Sequence, residues 1–428
     1  MIIIHTADWH LGNQMHDINR TEEVQLFFDW LKNQIIEKQA QALIVSGDIF
    51  DTVNPSTEAR RLYYSFLASL SATCCRNVVI TGGNHDSAVM LDAAKELLEV
   101  MNIRVVGSIN NLTPEDMVIE LGGSGESGQE DKVLCLALPF VREVELRNLI
   151  NDEDCKDLQD KDLYSLAYGK LYNQLYEAAL KKRGNKKLPL LAMGHLYAAN
   201  LEGRLKNVQS NKKTDDGVKV LDPVGNLGCV PSSVFPSQLD YVALGHIHYS
   251  TMVDGNPKIR YSGSPFVMGF DEALIPHYVL CLDLQEGKEA KVEKLEVPQN
   301  FIYRRLSGTL ADLKKELKEY ISLKSEKSLF LEICYKREFG TNGQDFLEDD
   351  IKLLPENIQV VSWKIMEEEN LFSGGNYADF SSDEIKNLDD EDVFKQLILS
   401  KSGLDPESPE AKALLEKYLP LFISVSNS

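Results

Sequence analysis

Residues 42–51 read ALIVSGDIFD: a short apolar run, β-branched at its centre, that closes on a glycine and two aspartates. Its length and composition are those of a strand, so the aspartates fall at the strand's C-terminal end. Four other stretches repeat the arrangement: IIIHTADWH at 2–10, NVVITGGNHD at 77–86, LPLLAMGH at 188–195 and LDYVALGHIH at 239–248. Together they offer Asp8, His10, Asp48, Asn84, His195, His246 and His248, seven groups able to ligate a hard cation, nearly all at strand ends.

Outward from these strings, strands alternate with amphipathic helices as far as about Ser264. A strand at 2–5 precedes a helix over 21–38, whose Val24, Phe27, Phe28, Leu31 and Ile35 share one face. The strand 43–45 precedes a helix at 57–70, 78–80 precedes 91–101, and a longer helix at 163–180 precedes 190–193; strands at 241–244, 258–261 and 278–282 follow. The pattern predicts an α/β fold, a layered sheet core flanked by helices with the polar residues at strand C-ends.

The character changes near residue 300. Segments 301–306, 310–321, 329–335, 346–353 and 358–365 make a β-α-β-α-β unit without histidine, read as a separate small α/β domain. LFSGGNYADFSSD, from Leu371, is a linker by composition. Two short amphipathic helices at 389–400 and 409–419 follow, either packing back or offering their apolar faces to a partner's groove. The expected division is 1–297, 298–370 and 371–428.

Carboxylate, carboxamide and imidazole groups without thiolate suit Mn²⁺, Fe²⁺ or Zn²⁺. Asp48 has two oxygens and can bridge two cations. Asp8, His10 and one later histidine complete the first set; Asn84, His195 and the other later histidine complete the second. Two ions about 3.5–4 Å apart can clamp the attacking and leaving oxygens of a phosphoester and make water nucleophilic near neutral pH. His85, beside Asn84, stays free to face a substrate, where it can stabilise transition-state charge or protonate a leaving alkoxide. Asp86 either orients His85 or caps the next helix.

With 45 Lys and Arg against 66 Asp and Glu the formal net charge is −21. That argues against strong autonomous binding to nucleic acid, whose affinity comes largely from phosphate neutralisation. The charge is uneven: 379–416 is strongly acidic, whereas Lys181, Lys182, Arg183, Lys186 and Lys187 cluster, with Lys206, Lys212 and Lys213 beyond. That cluster is either a solvated loop or a local phosphate-binding patch. No run approaches the roughly 18 apolar residues of a membrane span, and MIIIHT shows no secretory signal. Seven cysteines without a C-x-x-C pair read as reduced thiols of a cytoplasmic protein.

With D-W-H, G-D-I-F-D, G-N-H-D, G-H and G-H-I-H in this order, the chain resembles the calcineurin-like metallophosphoesterases. HTADWHLG at 5–12, SGDIFDTVNPS at 46–56, GNHDS at 83–87, GHIH at 245–248 and YSGSP at 261–265 narrow the likeness to the bacterial SbcD nuclease subunits. The resemblance runs essentially the whole chain: the unit after residue 300 looks like that family's capping domain, and EDVF at 391–394 lies in what looks like its C-terminal helical segment. It implies a dimanganese DNA nuclease, with Asp8, His10, Asp48 and His248 on one metal, Asp48, Asn84, His195 and His246 on the other, and His85 catalytic. It further implies double-strand 3′-to-5′ exonuclease and single-strand or hairpin endonuclease activity, and SbcC, an SMC-like ATPase, as partner. The absence of G-x-x-x-x-G-K-[ST] here agrees with an ATPase that lies in that partner. A homodimer through the helices at 57–70 and 91–101 is implied too, though their apolar stripes, Leu62, Tyr63, Phe66 and Leu67 in the first and Ala94, Leu97 and Leu98 in the second, equally fit ordinary core.

Two rivals differ in class. One is another metallophosphoesterase, a phosphatase or a small-nucleotide phosphodiesterase: phosphoprotein phosphatases carry Arg-Gly where this chain has Thr52-Val53, and Glu where it has Asp86, and purple acid phosphatases place a tyrosine at the position of Asp51. A non-catalytic DNA-end scaffold would be expected to have lost ligands, and none is missing.

Overall fold

Three of the five strings enter one sheet. β1 (Ile2–Thr6), β2 (Ala42–Ser46), β3 (Asn77–Thr81) and β4 (Ile103–Val106) run parallel as neighbours in that order. Their uninterrupted apolar character has a plain cause. Ile3, Ile44 and Val79 point into one core cluster, while Ile4, Leu43, Val45, Val78 and Ile80 point into another. A strand covered on both faces has no polar side. The second cluster also holds Phe27, Phe28, Leu31 and Ile35 of α1 (Thr21–Glu37) and Leu62, Tyr63, Phe66 and Leu67 of α2 (Thr57–Ser69). The α2 stripe is therefore core.

This computed structural model describes residues 1–16, 18–122, 132–150, 160–198, 229–323, 325, 327–336, 343–366, 408, 412, 415 and 417–419. The expected linker, the helix at 389–400, most of that at 409–419, and Lys206, Lys212 and Lys213 lie outside the described residues.

The expected single helix over 91–101 is two, α3 (Ala88–Asp92) and α4 (Lys95–Val100). They part at Ala94, whose backbone (φ −117°, ψ 15°) is not helical, just after Asp92, whose carboxylate accepts the Gly107 N–H at 3.2 Å. Leu98 of the expected stripe is buried, but Leu97 is 69% exposed, and Val89 and Val100 stand out beside it.

The second sheet is built from β5 (Val118–Leu121), β6 (Val133–Ala137), β7 (Leu190–His195), β8 (Tyr241–Gly245), β9 (Thr251–Met252) and β10 (Ile259–Tyr261), in the order β5-β6-β7-β8-β10-β9. β6, β7, β8 and β10 are parallel. β11 (Tyr278–Asp283) and β12 (Lys291–Glu296) extend the first sheet antiparallel beyond β1. The cluster containing Ile3, Ile44 and Val79 also contains Leu134, Ala192, Val242 and Leu244, so the two sheets share it as a sandwich core. α5 (Glu143–Asn148) and α6 (Asp160–Arg183) belong to the second layer. Lys181, Lys182 and Arg183 close α6, where cations suit the helix dipole. Lys181 lies 3.3 Å from Glu115 and Lys182 donates to the Val118 carbonyl at 2.6 Å, so part of the basic cluster serves the fold.

The β-α-β-α-β order found after residue 300 is the order expected: β13 (Ile302–Gly308), α7 (Leu310–Ile321), β14 (Leu329–Lys336), α8 (Gly343–Lys352) and β15 (Ile358–Met366), with sheet order β13-β14-β15. Thr309 and Asp312 form a capping box that starts α7, whose Leu313 and Leu317 are buried one turn apart. By compactness the chain divides into Met1–Arg305 with Ser325–Leu331 and Asn357–Val361, and Leu306–Lys324 with Glu332–Glu356 and Ser362–Ser428. All five ligand-bearing strings belong to the first unit. No described helix is long and apolar enough to cross a membrane. The six described cysteines form no disulfide, and burial pushes the Cys75 thiol up to about 12.

Candidate metal centre

The loops that leave β1, β2, β3 and β8, together with the last residue of β7, meet at one place. The loop after β1 runs along the loop after β2, through Asp8 N–H to Gly47 O (3.0 Å), His10 N–H to Asp48 O (2.9 Å) and Leu11 N–H to Ile49 O (2.9 Å). The loop after β8 joins through the His246 N–H, which donates to Asp8 Oδ1 at 2.8 Å. The loop after β3 joins through the His85 N–H, which donates to Asp48 Oδ1 at 2.9 Å.

Asp8, His10, Asp48 and His246 all adopt positive φ, between 44° and 99°. Residues other than glycine adopt that region uncommonly, Asn, Asp and His more often than the rest, and four together at one place mark a site that holds side chains in a fixed direction. Two glycines make the approach possible. Gly47 has φ +84°, and a Cβ there would strike the His195 ring; a Cβ on Gly83 would fall on Asp48.

All seven expected ligands come together. The His195 Nε2 and His246 Nδ1 atoms lie 2.9 and 3.0 Å from Asn84 Oδ1. His195 Nε2 is also 3.3 Å from Asp48 Oδ2. Ligand atoms of Asp8, His10 and His248 lie within 4.8 Å of one another, as do those of Asp8, Asp48 and His195. Asp8 and His195 are completely buried, whereas Asn84, His246 and His248 are part-exposed.

A family profile for calcineurin-like phosphoesterases matches residues 1–250. The chain belongs to the calcineurin-like phosphoesterase family. The SbcD subunit of the nuclease SbcCD from Escherichia coli K12 is 34% identical over 334 residues, which is 78% of this chain and 77% of that protein. Its counterpart in Bacillus subtilis is 32% identical over 68% of each chain, and that in Staphylococcus epidermidis 25% identical over 99% of each. Within the calcineurin-like phosphoesterases the chain therefore groups with the SbcD proteins.

Membership of this phosphoesterase family implies divalent-metal chemistry, and the residues present fit it. Asp8 Oδ2 and both ring nitrogens of His10 are buried without a hydrogen bond. His10 Nε2 lies 3.5 Å from Asp48 Oδ2 and Nδ1 lies 3.3 Å from Asp51 Oδ1, but neither contact is directed as a hydrogen bond. A buried carboxylate oxygen and a buried imidazole lone pair without donors, beside carboxylates that burial would otherwise penalise, are what a cation satisfies.

The electrostatics say the same. Burial pushes the Asp8 carboxyl up, against the pull of His195 and His248. Burial pushes Asp48 up too, but the His195 charge and hydrogen bond, with His10, outweigh it and hold the carboxyl well below the usual range. Burial pulls His195 down, but Asp48 and Asp8 overcome this and raise it to about 9. His246, desolvated and beside His195, falls to about 3.

His85 adjoins the seven: one of its ring nitrogens lies within 4.8 Å of ligand atoms of His10 and Asp51. Its Nδ1 lies 2.9 Å from the Asp51 carbonyl oxygen, which can only accept, so Nδ1 carries the proton and Nε2 is left free. It is exposed, unlike its neighbours, with its ring edge-on to His10 at 4.9 Å. Asp86 neither orients it nor caps the next helix. Its carboxylate accepts the N–H groups of Gly83, Ile49 and Phe50 at 2.8, 3.0 and 2.9 Å, pinning two motif loops together, and Ser87 is the cap.

Sequence reading did not assign three supporting groups. Asp51 serves His85 and adjoins His10. Glu272 lies 3.6 Å from His248 Nδ1. The Ser46 carbonyl, 2.9 Å from His195 Nδ1, fixes that ring with Nε2 toward Asn84. Asp51 is visible in GDIFD; Glu272 sits in an unpatterned loop, and a main-chain carbonyl carries no sequence signal.

Proposed function

We propose that this chain is the nuclease subunit of an SbcCD-type complex, a two-metal phosphodiesterase that cuts DNA exonucleolytically from 3′ to 5′ on duplex ends and endonucleolytically on single strands and hairpins. The observation that carries the reading is the meeting of seven oxygen and nitrogen ligands from five strand-end loops, with one further histidine, His85, held beside them and open to solvent. Asp8, His10, Asp48 and His248 would hold one cation, and Asp48, Asn84, His195 and His246 the other; the donor set suits Mn²⁺, Fe²⁺ or Zn²⁺, and manganese is the choice that the likeness to the SbcD nucleases supports. When bound, the two cations supply the charge that polarises a phosphodiester and makes water nucleophilic near pH 7.

The protein's own groups do the rest. The Asp51 carbonyl fixes His85 with Nε2 outward, so a protonated His85 delivers the Nε2 proton to the leaving alkoxide as its P–O bond breaks. Asp86 keeps the two loops carrying Asp48 and His85 in register through its three backbone bonds.

The division into a phosphoesterase domain (1–297), a capping domain (298–370) and a C-terminal segment (371–428) belongs to the same reading, with the last segment binding the SMC-like ATPase SbcC. A basic partner accounts for how so acidic a chain holds DNA. Homodimerisation would use the exposed Val89, Leu97 and Val100 of α3 and α4.

The test is cleavage of blunt duplex and hairpin DNA by the purified protein with Mn²⁺, beside metal analysis. His85→Ala should lower the rate by about 100-fold to 10,000-fold with bound metal unchanged. An active variant sinks the role given to His85, and a wild-type chain that hydrolyses simple phosphodiesters but leaves DNA intact sinks the nuclease reading. Removal of 380–428 should spare Mn²⁺-dependent nicking and abolish co-purification with SbcC.

A further inference from the structure

Arg20 and Glu23 are both buried, and their charges meet through Nε to Oε2 at 2.7 Å. Removing two charges from water is costly unless geometry and further bonds compensate. Here neighbouring groups compensate in part, although Arg20 Nη2 is buried without a hydrogen bond. The Tyr303 hydroxyl donates to the same Glu23 oxygen at 3.2 Å, and the guanidinium lies 5.3 Å from the Phe266 ring and 5.7 Å from that of Tyr303.

From this pair a path of hydrogen bonds leads to the metal centre. Arg20 Nη1 donates to Asn13 Oδ1 at 3.2 Å, and Asn13 Nδ2 donates to Asp51 Oδ1 at 3.0 Å. Guanidinium only donates and carboxylate only accepts, so the Asn13 amide can sit only this way round. Asp51 opens an exposed stretch, Thr52 to Asn54. Its N–H reaches Leu11 O at 3.2 Å, and Asn13 holds its side chain. The carbonyl of Asp51 then carries the His85 Nδ1–H.

We propose that Asn13, locked by the buried Arg20–Glu23 pair, is a positioning residue for His85: it fixes Asp51, and Asp51 fixes the imidazole. The competing account is that Arg20, Glu23 and Asn13 merely tie the loop before α1 to that helix. The two accounts part on Asn13→Asp. As a structural tie this variant gives Arg20 an ionic partner and is harmless. As a positioning device it sets a carboxylate against Asp51 and is worse than Asn13→Ala.

The proposal rests on the role given to His85, so the experiment has one arm that needs no DNA. In ¹⁵N-histidine-labelled, metal-free full-length protein, the His85 resonance, identified by its loss in His85→Ala, should show one Nδ1–H tautomer in the wild type. It should show mixed tautomers in Asn13→Ala and more so in Asn13→Asp. The second arm compares DNA, whose alkoxide leaving group needs a proton, with bis(p-nitrophenyl) phosphate, whose phenolate does not. With Mn²⁺ saturating, kcat on DNA should fall about tenfold in Asn13→Ala and further in Asn13→Asp, with KM, bound metal and the phenyl diester rate unchanged. An unaltered tautomer in Asn13→Ala, an equal loss on both substrates, or an Asn13→Asp variant at least as active on DNA as Asn13→Ala would overturn the proposal. Failure of the wild type on DNA alone strikes the nuclease reading and leaves the tautomer arm to decide this one.

Discussion

Behind His10 and His248 stand the carboxylates of Asp51 and Glu272, at 3.3 and 3.6 Å; behind His195 stands the main-chain carbonyl of Ser46, and His246 turns its Nδ1 to the Asn84 carboxamide. In the proposed pairing of ligands, one half is thus backed by charge at His248, with Asp51 close to His10 but not hydrogen-bonded to it, and the other by a neutral dipole at His195. An imidazole with a carboxylate behind it is a more basic ligand than one with a carbonyl behind it. The half built on His10 and His248 should therefore hold its cation more tightly than the half built on Asn84, His195 and His246. The two halves also differ in fragility. A carboxylate can be removed by one substitution, whereas the Ser46 carbonyl is backbone and persists whatever side chain the position carries.

Asp48 is where the comparison collapses, because its carboxylate faces both halves: Oδ2 lies 3.5 Å from His10 Nε2 and 3.3 Å from His195 Nε2. Asp48→Ala should abolish binding in both halves at once and lower phosphodiesterase activity on the order of 10,000-fold. Metal analysis that still finds one tightly held ion would mean that the halves are independent and that Asp48 does not join them.

Glu272→Gln is the more selective probe. It keeps the shape and removes the charge behind His248 alone. One of two resolved binding steps in calorimetry should weaken about 10-fold to 100-fold, with the other unchanged. Equal weakening of both steps would dissolve the distinction drawn between the halves.

These supports mark the limit of what the sequence could tell. The strands and the groups at their ends were legible because both are local: an apolar run closed by Gly-Asp or Gly-His is a contiguous string, and register along a parallel sheet brings such ends to one edge. The β-α-β-α-β unit at 302–366 was legible for the same reason. The supports are not local. Glu272 meets His248 across 24 positions through a loop without periodicity, and Asp86 spends its carboxylate on backbone groups 36 and 37 residues away. The split between α3 and α4 was hidden because the non-helical residue is Ala94, an alanine that carries no breaking signal. His5, within the first string, proved to be interior: Nδ1 lies 3.2 Å from the Tyr241 hydroxyl, and burial lowers the ring to about 3. β4, β5, β6, β9 and β12 carried no flanking motif that singled them out.

The smallest effect concerns protons. In the metal-free protein Asp48 and Asp8 raise His195 to about 9 from an ordinary value near 6.5, against the opposing pull of burial. A group raised on folding contributes stability that is complete below about pH 6.5 and is lost as pH rises through about 9. The metal-free chain should therefore lose thermal stability across that window, while the loaded chain, whose His195 must be neutral to ligate, should not show this loss. A cation entering that half displaces the proton, so its affinity should rise about tenfold per pH unit between pH 7 and 9 and then level off. His246, already neutral with its value near 3, adds nothing in this range. In the other half His248 is raised, burial opposing and Glu272 and Asp8 prevailing, so its proton should leave too when metal binds. Calorimetry at pH 7.5 in two buffers of different ionisation enthalpy counts the protons. Glu272→Gln should reduce the count, and what remains should be close to the single proton of His195. A count unaffected by Glu272→Gln would show that the carboxylate behind His248 does not set its protonation, and the contrast between the halves would then lie in geometry alone.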